Sequence, residues 1–167
     1  MPSGAPYHGP MEPLLTRSEN AGVLAYLAHG RSADEAGFGP PGSDVDRHHL
    51  GTHPRIVDRL WDTLNEALPM DGRWLVCDAP ALVHPTTRII LAAAIGTQYA
   101  LRLLPSDLAV AIAAGAELSH EFRTVGTSVD LPATFGPGWA FGRFDEREAS
   151  WLRASYEARH KGGRSKD

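Results

Sequence analysis

The sequence predicts an α+β domain: a mainly antiparallel sheet of about five strands packed with three helices, preceded by an N-terminal arm. Two observations carry this. Residues 74–103 read as short segments of period near two, separated by turn signals, which is the pattern of an antiparallel meander. Helical signals flank them on both sides, in residues 52–69 and 105–115 and again after Asp145.

Taken in order, residues 1–45 read as an arm that is flexible or ordered against a partner. Residues 1–13 are rich in Pro and Gly, and so is Gly37-Phe-Gly-Pro-Pro-Gly42; both lose much backbone entropy on ordering. Between them Val23, Leu24 and Leu27 stand at helical spacing, which predicts a short helix over 18–29. The single α+β domain is expected over 46–158, and 159–167 as a disordered basic tail.

The first helix of the domain opens at Thr52, whose hydroxyl can cap, with Pro54 in the first turn where a missing N–H costs nothing. Ile56, Val57, Leu60, Trp61, Leu64, Ala67 and Leu68 make one apolar stripe, Asp58, Arg59, Asp62 and Glu66 face water, and Pro69 stops the helix. Strands follow at 74–77, 81–84, 88–95 and 99–103, with Pro85-Thr86-Thr87 and Gly96-Thr97 as turns. Tyr99, Leu101 and Leu103 share one face, Ala100 and Arg102 the other. A helix runs from Pro105 to a stop at Gly115. Strands at 121–125 and 139–144 come next, and Asp145 with Glu148 three residues on forms a capping-box pattern for a last helix carrying Trp151, Leu152 and Tyr156.

With 167 residues the chain is sized for one domain with a real core. Hydrophobic residues at 43% and charged residues at 22% are ordinary for a globular protein. The net charge of -4 provides no overall attraction to a phosphate backbone. A nucleic-acid partner would need Arg88, Arg102, Arg123, Arg143 and Arg147 to gather on one face. Cys77 is the single cysteine and excludes an intramolecular disulfide. The start lacks a basic leader and an apolar core, so no secretory signal is expected. The longest apolar run, 89–101, is interrupted at Gly96-Thr97-Gln98 and is short of a membrane span. A cytoplasmic protein is the expectation.

Several local motifs sharpen this outline. Tyr99-Ala-Leu-Arg-Leu-Leu-Pro105, the helix Ala109 to Gly115, the strand Gly138-Trp-Ala-Phe141 and the terminal helix with Trp151-Leu-Arg-Ala-Ser-Tyr156 occur in that order. Residues of about 70–158 thereby resemble the YjbR-like fold of small bacterial proteins, shared with the N-terminal domain of TfoX-type competence regulators. In that family a Leu-Arg strand enters a Leu-Pro turn and is followed by a helix, a Gly-Trp strand and a terminal helix with a Ser-Tyr pair. The resemblance implies binding of DNA or of another protein, and structural roles for Arg102, Trp139 and Tyr156. The long N-terminal arm departs from the family pattern.

Candidate chemistry is sparse. Were the helix to begin near His49, His49 and His53 would stand four apart on one face and could share a zinc ion, with Asp44 or Asp46 reaching in; as Thr52-His53-Pro54 reads better as a helix start, surface or capping histidines are the simpler reading. Arg102 emerges opposite Tyr99 and Leu101, where Arg88, His84 or Arg143 would complete a concavity for a carboxylate or phosphate. The plainer alternative is a solvated sheet face with a pair to Asp78. Cys77 reads as a small core residue, and a catalytic role would need His84 or His120 beside it. His120, Glu121 and Asp130 form no evident acid-base set. Phe38 and Trp61, if exposed, are the aromatic anchors for a protein contact. No cofactor is expected. The leading expectation is a noncatalytic binding or regulatory module contacting another protein or its own copy, ahead of a small metal- or anion-binding enzyme and a DNA-binding regulator.

Overall fold

The computed structural model describes residues 17–28, 38–41, 52–95, 98–118, 138–141 and 146–165. Among them four helices and seven strands form an α+β fold around one antiparallel sheet. A 3-10 turn, Ser18–Asn20, leads into α1, Ala21–Ala28, and β1 is Phe38–Gly39. Helix α2, Pro54–Asp58, continues as a π-helical segment, Arg59–Leu64. The strands β2, Arg73–Val76, β3, Ala79–Val83, β4, Ile90–Ile95, and β5, Gln98–Arg102, form the meander. Helix α3, Pro105–Ala113, β6, Glu117–Leu118, β7, Trp139–Phe141, and α4, Glu148–Ser165, complete the order.

The sheet order is β1-β2-β3-β4-β5-β7-β6, and every pairing is antiparallel. The expected count of about five strands is low by the two-residue edge strands β1 and β6, which are too short to show a period. The strand expected at 121–125 lies outside the described residues.

The meander turns are built by local chemistry. Val76 pairs with Ala79 across a two-residue loop, so Cys77 and Asp78 occupy the central positions of a hairpin turn, both with positive φ (52° and 67°). Cys77 was expected within the strand and instead turns the chain, its side chain buried. At the next turn the His84 Nδ1 accepts from the Thr86 and Thr87 amides at 3.1 and 3.2 Å. Arg88 then takes a left-handed φ of 63°, which delays β4 to Ile90 instead of the expected residue 88.

Alternation along the strands sorts the core into two layers. Leu82, Leu91, Ala92, Ala94, Tyr99, Leu101 and Ala140 face α2, α3 and α4. The other face carries Trp74, Ala81, Val83, Ile90, Ala93, Ala100 and Trp139, against Val23, Tyr26 and Leu27 of α1. A fully buried Leu or Ile contributes about 1.5–3 kcal/mol by leaving water, so both layers matter. Part of the expected arm is thus packed on the chain's own sheet. Trp61, expected as an exposed anchor, is 2% exposed and donates its indole N–H to the Ala81 carbonyl at 3.0 Å. Its place in the apolar stripe decides its burial.

The cap of α2 is His53 rather than Thr52: its Nδ1 accepts from the Arg55 amide at 3.1 Å. Within the π-helical segment the Asn65 amide reaches the Leu60 carbonyl five residues back. Leu60, Trp61 and Leu64 are all buried there. Helix α4 is continuous to Ser165, across most of the stretch expected as a tail. No described helix is long and apolar enough to cross a membrane.

Candidate functional site

One end of the sheet gathers arginines from distant parts of the chain. Here β3 and β5 end, β4 begins, and the turn Ser18–Asn20 lies across them. Arg102 faces opposite Tyr99 and Leu101, as the alternation predicts, but it does not open into solvent: it is 6% exposed. Its Nε–H donates to the Ile90 carbonyl at 2.7 Å and its terminal N–H to the Glu19 carbonyl at 2.9 Å. Its guanidinium lies 4.8 Å from the centre of the Trp139 ring. The solvated face with a pair to Asp78 is therefore corrected, because the N-terminal turn covers this position. Burial, and next the Arg159 charge, pull the Arg102 guanidinium down to about 10, against the opposing pull of Glu19.

Asn20 holds that turn in place. Its amide NH2 donates to the Arg88 carbonyl at 2.9 Å and its carbonyl oxygen accepts from the Ile90 amide at 2.9 Å, so a buried side chain stands in for a strand. Arg17 adds a bond from Nε to the Thr87 carbonyl. The Arg88 guanidinium lies 4.8 Å from the centre of the Trp74 ring, and its buried Nε meets no acceptor among the described residues. Burial lowers its pKa. On the helical side His84 is fully buried and its ring stacks on Tyr156 at 4.3 Å and 21°. One turn further along α4, the buried Nε of Arg159 likewise meets no acceptor among the described residues.

A second polar cluster joins α2, β5 and α4. The Tyr99 hydroxyl donates to the Glu148 carboxylate, and Arg59 reaches both, at 3.4 Å from Nε to the hydroxyl and 3.5 Å from a terminal nitrogen to Oε1. Tyr99 and Glu148 are buried. Burial, then the Glu148 charge, push the Tyr99 hydroxyl well above the ordinary tyrosine value. Burial pulls Arg59 down, but its contacts with Tyr99 and Glu148 outweigh this and raise it. Beside Arg59 a shallow depression of about 380 Å³ is lined by Arg55, Asp58, Asp62 and Thr63, with balanced charge. The alternating pattern marked Tyr99 as core and Glu148 as a capping residue; neither signal pointed to their pairing.

A third feature is the outer side of α3. Its exposed residues are Pro105, Ser106, Ala109, Val110 and Ala113, continuing into Ala114, and none is charged. Val110 is 43% exposed and, with Met70, makes up the exposed large hydrophobic residues among those described. Outward helix faces are ordinarily polar. The sequence signals of this helix are Pro105 at its start and Gly115 at its stop, and neither bears on the residues that face away.

Of the expected site residues, Arg102, Arg88 and His84 do come to one end of the sheet, whereas Trp61 is core. Phe38 is half-buried in β1, opposite Val76, and packs against the layer under α1. His53 is exposed with its Nδ1 engaged in the helix cap. Arg143, His49, Asp44, Asp46, Arg123, His120, Glu121 and Asp130 lie outside the described residues. Among the described residues no three His, Cys, Asp or Glu side chains stand together as a metal-binding group. Arg147 stacks 5.1 Å from the Trp151 ring centre, at the opposite end of α4 from Arg159. No protein-family model matches the chain, and neither a curated protein nor a solved structure matches it.

Proposed function

We propose that this protein is a noncatalytic binding module that contacts a second copy of itself through the outer face of α3. The observation that carries the reading is the uncharged, apolar exposed side formed by Ala109, Val110 and Ala113 with Ala114. Small side chains let two helices approach closely, and a neutral face meets its own copy across a two-fold axis without like-charge repulsion. The interior polar groups support the noncatalytic part. Tyr99, Glu148 and Arg59 bond to one another, and His84 and Arg102 bond backbone groups.

A YjbR-like fold, shared with the N-terminal domain of TfoX-type regulators, accords with this reading. The order of helix, meander, helix, Gly-Trp strand and terminal helix supports that assignment, and the family resemblance implies binding rather than chemistry. The contacts of Arg102 with Trp139 and of Tyr156 with His84 support the structural roles that the resemblance implies.

Sedimentation velocity over the micromolar range tests the proposal. The wild-type chain is expected to show a concentration-dependent dimer, Val110→Glu a monomer, and Met70→Glu the wild-type behaviour. A wild-type chain that stays monomeric throughout, or a Val110→Glu chain that dimerises as well as wild type, overturns it.

A further inference from the structure

The turn between β3 and β4 takes its shape from one imidazole. His84 is fully buried, and its Nδ1 accepts from the Thr86 and Thr87 amides at 3.1 and 3.2 Å. A ring nitrogen that accepts carries no hydrogen, so this neutral ring holds its proton on Nε2. The backbone of His84 closes the same turn: its carbonyl accepts from the Arg88 amide and its amide donates to the Ile89 carbonyl, both at 2.9 Å. That turn is also the seat of the N-terminal segment. The Thr87 carbonyl accepts from Arg17, the Arg88 carbonyl accepts from Asn20, and the Ile90 amide donates back to Asn20.

Protonation acts on this arrangement at a single atom. A hydrogen on Nδ1 would face two N–H donors, so both bonds would be lost, and burial adds the cost of a charge held away from water. Tyr156, stacked on the ring at 4.3 Å, stays neutral, its hydroxyl raised by burial. The charged groups on the elements that meet there are Arg153, Glu157 and Arg159 on α4, Arg88 in the turn, and Arg17 and Glu19 on the N-terminal turn. Arg102 lies on the other face of the sheet. On the α2 side Leu64 and Leu68 are buried, while Asp62 and Glu66 are exposed. Glu157 is paired with Arg153 at 2.8 Å and Glu19 faces Arg17 at 3.9 Å. Arginines outnumber carboxylates around the turn, so the charged surroundings favour the neutral ring, as burial does.

We infer that His84 is an acid-sensitive latch on the N-terminal segment: the neutral ring holds the turn that receives Arg17 and Asn20, and protonation at Nδ1 releases residues 17–28 from the sheet. That segment is the part able to leave alone. It is held by side-chain bonds to the turn, by the Arg102 bond to the Glu19 carbonyl, and by packing of Val23, Tyr26 and Leu27, rather than by strand pairing. The docked form binds one proton fewer than the released form. Docking is therefore strongest above the range in which an ordinary imidazole charges, and weakens as pH falls below about 6.5. Release uncovers the sheet face that carries Val83, Ile90 and Ala93. Helix α3 packs on the opposite face, so the latch stands or falls independently of self-association.

The test is amide hydrogen exchange of the full chain by NMR at pH 7.0 and 5.0, with protection corrected for the intrinsic exchange rate at each pH. Protection of the Tyr26 and Leu27 amides is expected to fall about 20-fold at the lower pH, the gain in charged population of an ordinary imidazole over that interval, while the amides of β4 and β5 keep theirs. His84→Asn supplies a side-chain oxygen that accepts from nearby amides without titrating, and is expected to abolish the pH dependence. His53→Asn, at the exposed cap of α2, is expected to leave it unchanged. Should His84→Asn fail to fold, the imidazole nitrogen resonances of the wild-type chain give the same answer: a ring protonated on Nε2 at pH 7.0, with one midpoint for the charging of His84 and the loss of α1 protection. Equal α1 protection at both pH values, a loss shared equally by β4 and β5, a ring protonated on Nδ1 at pH 7.0, or a His84→Asn chain with the wild-type pH dependence would overturn the inference.

Discussion

The Tyr99 hydroxyl donates to the buried Glu148 carboxylate, tying the middle of the sheet to the first turn of the last helix. Arg59 closes the group from α2, so three elements meet at one hydroxyl. Tyr99→Phe removes that donor and leaves Glu148 with Arg59. The expected cost is about 2 kcal/mol, in the range for a hydrogen bond to a charged group, measured as the change in urea unfolding free energy.

Alkaline pH acts through the same tyrosine. Its folded-state pKa is raised, by burial first and by Glu148 second, so the folded chain holds the phenolic proton more tightly than the unfolded chain. The stability from this group is complete below the ordinary value of 10.0 and is lost as pH rises above it. Tyr26, raised by burial, adds to the same trend. The urea midpoint is expected to hold up to about pH 10 and to fall above it, and the fall to be shallower in Tyr99→Phe; equal slopes for the two chains would refute the assignment.

Asn20→Ala removes both bonds that pin the N-terminal turn to the start of β4. A loss of about 2 kcal/mol is expected, since the Arg88 carbonyl and Ile90 amide lose their partner. Trypsin should cleave after Arg17 faster in this variant, and unchanged cleavage and stability would contradict the role given to Asn20.

Gly72→Ala places a methyl 3.0 Å from the Val83 carbonyl oxygen and 3.4 Å from a Leu68 methyl. The Gly72 carbonyl accepts from the Val83 amide at 2.7 Å, so the backbone has little room to yield. Overpacking of this kind costs about 1–3 kcal/mol, read from thermal unfolding; a chain as stable as wild type would show that the strand edge adjusts.

Trp61→Ala is expected to destabilise by about 3–5 kcal/mol, as for other buried aromatics, without altering self-association in sedimentation. A monomeric but fully stable Trp61→Ala chain would restore it as a surface anchor.

What could be read from the sequence was local. Pro54 and Pro105 both stand in first turns, and the alternation along residues 99–103 put Arg102 on the correct face, because these features depend on neighbours a few residues away. The partners of those residues lie 40 to 89 positions off in the Arg59, Tyr99 and Glu148 group, and 12 and 83 positions off for Arg102. No spacing rule reaches that far. Trp61 shows the boundary: its stripe predicted burial, while its aromatic character suggested a surface anchor, and packing decided. Cys77 and His53 were misplaced by one position or so, since a strand end and a helix cap depend on backbone geometry rather than on side-chain type.

The order of assembly follows from the way the sheet is connected. Strands β2 to β5 are consecutive neighbours, so their pairing closes short loops, and such contacts form early. The Asn20 bonds, by contrast, span 68 and 70 residues and form only once the meander exists to receive them. The N-terminal turn is therefore the last piece to join and the first to leave, and damage at Asn20 should appear in the unfolding rate while the folding rate stays nearly unchanged.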